Sequence, residues 1–194
     1  MKHGGRHSRP LAEAVDGARD KPLVGLSDST ALLLARAAAG RGGLAIHGPV
    51  ITQLPRLDAA SAEAMRAWLR SPQCLPELHC SPHHSVCPGV AEGDLVVGNL
   101  SMIASCVGTP EGIDCQGAIL LIEDVAEPAY RLDRMMAQLQ RSGAIDGLVG
   151  LAFGSFVDCH PVGDVEACLA DWGRRLAVPC CGAFPVGHGS ACFP

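Results

Sequence analysis

Three residues of the types a hydrolase needs each follow a short apolar run. Ser27 lies in Gly25-Leu26-Ser27-Asp28, between "PLVGL" and the helix-like "STALLLARAAAG"; Glu123 ends "GAILLIE"; His188 follows "VPCCGAFPVG". A serine hydroxyl is a weak nucleophile until an imidazole takes its proton, and that imidazole needs a carboxylate to hold its tautomer and stabilise its charge. Bland readings stand beside this one. Ser and Asp are preferred helix N-caps, and the G-x-S-x-G pattern of a nucleophile elbow is missing. Glu123 also suits an ion pair with an arginine, and His188, between two glycines, suits a loop.

Residues so far apart meet only if the fold collects the strand ends. The apolar runs predict strands at 22–26, 42–51 (broken by His47-Gly48-Pro49), 117–124, 147–156 and 178–188. Helical spacing predicts helices at 29–39, 59–70, 128–142 and 164–176, the third with Leu132, Met135, Met136 and Leu139 on its buried face. Unbroken apolar strands alternating with helices imply an α/β fold whose parallel sheet is covered on both faces. In such sheets functional groups gather beyond the C-terminal strand ends, where Ser27, Glu123 and His188 fall. Residues 71–93, rich in Pro, Cys and His and without a period, are expected to be an exposed linker between residues 1–70 and a domain at 94–194.

The 194 residues are 48% hydrophobic with a net charge of −5, and 4% are aromatic. Neither a basic surface nor a stacking platform for nucleic acid is expected. No window nears the roughly twenty apolar residues of a membrane span, and the charged first twenty residues lack the apolar core of a secretion signal. A cytoplasmic protein without membrane contact is the expectation. Ten cysteines are many for a reducing compartment; most lie singly in apolar segments, and no disulfide framework is expected.

"HCSPHHSVC" offers Cys80, His83, His84 and Cys87, with Cys74 and His79 nearby. The spacing matches no standard zinc module, so an unliganded loop is expected. Arg131 and Arg134 suit either a substrate carboxylate or ion pairs with Glu127 or Asp133. Asp124 suits orienting a turn or pairing with one of those arginines, and His47 a buried hydrogen-bonded role. "AAAGRGG" lacks the lysine of a phosphate-binding loop.

The segments "KPLVGLSDSTALLLA", "LAIHGPV", "GNLSMIASCVGTP", "ILLIEDVAEPAYRLDRMMAQL" and "VGHGSACFP" resemble successive motifs of the LD-carboxypeptidase family of serine peptidases. The resemblance runs from about residue 21 to the C-terminus, apart from 71–93. It implies a remnant of an N-terminal Rossmann-like domain carrying the nucleophile elbow, followed by a C-terminal parallel-sheet α/β domain. By it, the nucleophile falls on Ser27, the catalytic carboxylate on Glu123 and the base on His188. The backbone amide of Asp28, with a second amide at Gly4-Gly5, would form the oxyanion hole. The implied reaction removes the terminal D-alanine from a muropeptide tetrapeptide in peptidoglycan recycling, with no metal or organic cofactor, and the family relation points to a homodimer. The short stretch before Ser27 leads to the expectation of a truncated member. Two alternatives stay open: a member that binds without hydrolysing, and an amidase like the microcin C immunity branch.

Overall fold

The most buried strand is β5, Ala118–Val125, in which Leu120, Ile122 and Glu123 have no exposed surface. The structure, a computed structural model, describes residues 21–38, 44–72, 77–80 and 84–194. Its earlier strands are β1 (Leu23–Gly25), β2 (Ala45–His47), β3 (Ser85–Cys87) and β4 (Asp94–Asn99); β6 (Gly150–Val157) and β7 (Cys180–Cys181) follow. The helices are α1 (Thr30–Ala38), α2 (Ala59–Arg70), α3 (Leu100–Ser105), α4 (Ala129–Arg141) and α5 (Val162–Leu176).

The main sheet has the order β3-β7-β6-β5-β4, parallel from β4 to β7, with β3 antiparallel at the edge. β1 and β2 form a separate parallel pair. The expected α/β class therefore holds, but the covering of the sheet is asymmetric. On one face Leu120 and Ile122 pack with Leu132, Met136 and Leu139 of α4, Leu100 and Ile103 of α3, and Leu169 and Trp172 of α5. On the other, Leu121 and Ala152 pack under Val186, Phe184 and Leu78, which lie on irregular chain. A third cluster joins Val24 and Ile46 of the small pair to Met65 and Trp68 of α2.

Several expected elements differ. Two strands without a strong apolar run, β3 and β4, were not predicted. β3 lies inside the segment read as a linker, and its pairing with β7 sets Ser85 opposite Cys181. That pairing lets Cys80 reach Cys181, and the two form a single disulfide among the described residues, where the sequence led to the expectation of no disulfide framework. Of the other residues in the Cys/His stretch, Cys74 and His83 lie outside the described residues. The strand expected at 178–188 shrinks to Cys180–Cys181, because the chain leaves the sheet plane and crosses over β6. Among the described residues no helix is long and apolar enough to cross a membrane.

The ends of β4 and β5 are fastened by Asp124, which is 2% exposed. Its carboxylate accepts from Asn99 Nδ2 (2.9 Å), the Val125 amide (2.9 Å), the Ser101 amide (2.9 Å) and the Ser101 hydroxyl (2.8 Å). Asn99 in turn caps α3, its Oδ1 accepting from the Met102 amide at 3.2 Å. Asp124 thus orients a turn, one of its two expected roles. Asp124→Ala is expected to destabilise the fold by about 3 kcal/mol, the scale for stranding buried donors of a charged acceptor. Urea unfolding at unchanged m-value reads this; a negligible loss would show that the turn holds without the carboxylate.

Candidate active site

The site grows from a sharp turn. The Cβ that Gly25 lacks would stand 2.4 Å from Ser29 Cβ, so only glycine lets β1 fold back so tightly. Ser27–Ser29 then form one 3-10 turn leading into α1, and Ser27 itself has φ +58°. A non-glycine residue in that left-handed region is strained, and a strained strand-to-helix turn is what lifts a hydroxyl off a sheet edge. Ser27 is half-buried, and its hydroxyl makes no hydrogen bond among the described residues. Asp28, next in the turn, is exposed. Gly4 and Gly5, the second expected oxyanion element, lie outside the described residues.

The turn is seated against the main sheet. Thr30, the first residue of α1, accepts the Asn99 amide on its hydroxyl at 3.1 Å, and its methyl occupies the space where Gly98 has no side chain. Asn99 pairs in register with Glu123. On the small sheet Gly25 pairs with His47, and His47 Nε2 stands 3.5 Å from Glu123 Oε1. Ser27 and Glu123 therefore share one end of the fold.

Glu123 is held by the crossing of the C-terminal segment. Opposite it, the register of β6 slips by one residue, with Ile122 facing Phe153 and Asp124 facing Phe156. A bulge of this kind re-aims side chains beside functional sites. The Ser155 amide and hydroxyl both donate to the Val186 carbonyl, at 2.8 and 3.1 Å. A Cβ at Gly154 would stand 2.5 Å from that carbonyl, and one at Gly187 (φ +119°) would stand 2.6 Å from Glu123 Oε2. Bare backbone on both chains thus lets His188 come down onto the carboxylate. Its Nδ1 lies 2.7 Å from Glu123 Oε2, at the distance of a strong, charge-assisted bond.

The electrostatics follow. Burial pushes the Glu123 carboxyl up, but the hydrogen bond from His188 and the approach of His47 outweigh it and leave the pKa below the usual value. The bond to Glu123 raises the His188 imidazole, with burial opposing and the charges of Glu123 and Asp124 adding. The buried acid stays ionised and the imidazole gains basicity, as a proton-taking base requires.

Of the sequence candidates, Glu123 and His188 are hydrogen-bonded to each other and Ser27 is at the same sheet end, with no bond from its hydroxyl to His188. Arg131 pairs with Glu127 at 2.9 Å, and Arg134 stacks on Tyr130 at 4.9 Å, so both arginines are engaged on α4. Sequence reasoning missed the setting of His47. It is buried as expected, yet neither ring nitrogen has a hydrogen bond among the described residues. The signal was there, as a histidine closing the apolar run of β2 in "LAIHGPV".

A sequence model of the LD-carboxypeptidase C-terminal domain matches residues 92–194. A Streptomyces coelicolor protein is 38% identical over 179 residues, covering 91% of this chain and 57% of its own length. The murein tetrapeptide carboxypeptidase of Pseudomonas aeruginosa is 35% identical over 192 residues, covering 91% of this chain and 60% of its own. The crystal structure of muramoyltetrapeptide carboxypeptidase from Oxalobacter formigenes superimposes with a TM-score of 0.78 at 28% identity, over 98% of this chain and 69% of that one. The chain therefore spans about three fifths of the length of these sequence relatives. With half its residues matched by the family's C-terminal domain, the chain belongs to the LD-carboxypeptidase family.

Proposed function

We propose that this chain carries the serine-hydrolase centre of an LD-carboxypeptidase acting on muropeptide tetrapeptides in the cytoplasm. The observation that carries the reading is the 2.7 Å bond between His188 and the buried Glu123, at the sheet end where the left-handed Ser27 turn sits. The relatives' names supply the substrate class: a murein tetrapeptide for the Pseudomonas protein and a muramoyltetrapeptide for the Oxalobacter one. The division into a nucleophile half at 1–70 and a Glu/His half at 94–194, joined through 71–93, belongs to the same reading. The separate apolar clusters around Trp68 and Leu120 support it. So does the free thiol state of most described cysteines for a reducing compartment. The family's homodimer is carried along with the reading.

In this mechanism Ser27 Oγ attacks the carbonyl that joins the diamino acid's L-centre to the terminal D-alanine. Its proton passes to His188 Nε2, while Glu123 holds Nδ1–H and stabilises the imidazolium. The tetrahedral oxyanion accepts from the Asp28 amide, a donor of a kind worth about 3 kcal/mol in barrier height. His188 then returns the proton to the departing D-alanine amine, leaving an acyl-Ser27 ester. Water, deprotonated by His188, hydrolyses that ester and restores the hydroxyl.

Ser27→Ala is expected to abolish D-alanine release from a tetrapeptide and labelling by a fluorophosphonate, with an unchanged circular dichroism spectrum. Labelling retained in the variant would remove Ser27 from the role. The rate should also report the imidazole, which must be neutral to act as base. Because Glu123 raises its pKa, kcat/KM should fall on acidification from a midpoint above the ordinary imidazole value of about 6.5. Glu123→Gln should lower kcat by about a thousandfold or more and move that midpoint down. A midpoint left in place would separate Glu123 from the base.

A further inference from the structure

His47 is the residue of the site that this mechanism leaves unused. It ends β2, its side chain is 1% exposed, and its Nε2 stands 3.5 Å from Glu123 Oε1. Among the described residues that oxygen has no hydrogen bond, and neither has either ring nitrogen of His47. Two buried polar atoms 3.5 Å apart, with no other partner among the described residues, are costly unless they engage.

Resting on the function proposed above, the geometry points to His47 as a positioning residue that donates Nε2–H to Glu123 Oε1 and so holds the carboxylate in line with His188. The bond uses the proton on Nε2 and fixes the carboxylate's rotation in line with His188. The placement comes from the register Gly25–His47, so one strand pair carries both the turn of Ser27 and the second support of Glu123. Pro194 Cα, 2.9 Å from where Gly48 would carry a Cβ, closes the space beside the ring's backbone. The titratable groups facing Glu123 from the elements around it are His47, His188, Asp124 and the Cys159 and Cys192 thiols, both of which burial pushes up.

Three variants of the full chain test this. His47→Gln keeps an N–H at the reach of Nε2, His47→Asn offers one only at the reach of Nδ1, and His47→Phe keeps volume without a donor. His47→Phe and His47→Asn should lower kcat by about 10- to 100-fold, the scale of a slightly misplaced catalytic group, with KM little changed. His47→Gln should stay within a few-fold of the parent. NMR titration of His188 in the resting protein provides a readout without substrate. Its pKa should fall toward the ordinary imidazole value in His47→Phe and His47→Asn and hold in His47→Gln. If His47→Phe does not fold, the contrast between His47→Gln and His47→Asn decides. An unmoved His188 titration in His47→Asn, or equal effects of the two amides, would overturn the proposal. A parent without carboxypeptidase activity would count against the function alone, because the titration still reports on His47.

Discussion

A carboxylate without solvent exposure is the constraint around which this site is organised. Taking such an anion out of water costs several kcal/mol, and only partners with good geometry repay it. Glu123 finds them on elements that are remote in the chain. His188 arrives on the C-terminal crossing at 2.7 Å, and His47 on the small sheet at 3.5 Å. The depressed pKa of Glu123 and the raised pKa of His188 are two sides of that one contact. Because these partners hold the carboxyl below its usual pKa against the burial that pushes it up, the geometry of the site and the stability of its surroundings are linked.

The two apolar units of the chain are tied through the same region. The Asp58 amide donates to the Ser190 carbonyl at 3.0 Å, and the Cys192 amide donates to the Ser61 hydroxyl at 2.9 Å. Asp58 and Ser61 are the cap and first turn of α2, which packs on β1 and β2. The residues just after His188 are thus anchored to the unit that carries Ser27. The relation between nucleophile and base does not depend on the connecting segment alone, because it also runs through one backbone bond and one bond to the Ser61 hydroxyl.

The long apolar runs and the periodic helices were legible in the chain, because β5, β6, α2, α4 and α5 bury surfaces whose spacing writes itself into residue type. α2 begins and ends where the periodicity puts it, and Leu132, Met136 and Leu139 form the buried stripe of α4. The short strands were not. β3 and β4 expose part of their length, so Ser85 and Asp94 look like loop residues, and only pairing with β7 and β5 makes them strands. The types of the site residues could be read from strand-end position and family motifs, but their contacts could not. Glu123 and His188 stand 65 positions apart, and the chain between them carries no local sign that the two meet. The departure of 182–188 from the sheet depends on Gly154 and Gly187, whose missing side chains have meaning only in three dimensions.

Those two glycines also set how such a site decays. A methyl group at either would push the crossing chain outward, Val186 with it, while leaving the larger cluster around Leu120 and Trp172 in place. The protein would keep its shape and lose the alignment of its imidazole. A descendant that has abandoned catalysis is therefore to be recognised first by side chains gained at positions 154 and 187, before any change in serine, glutamate or histidine.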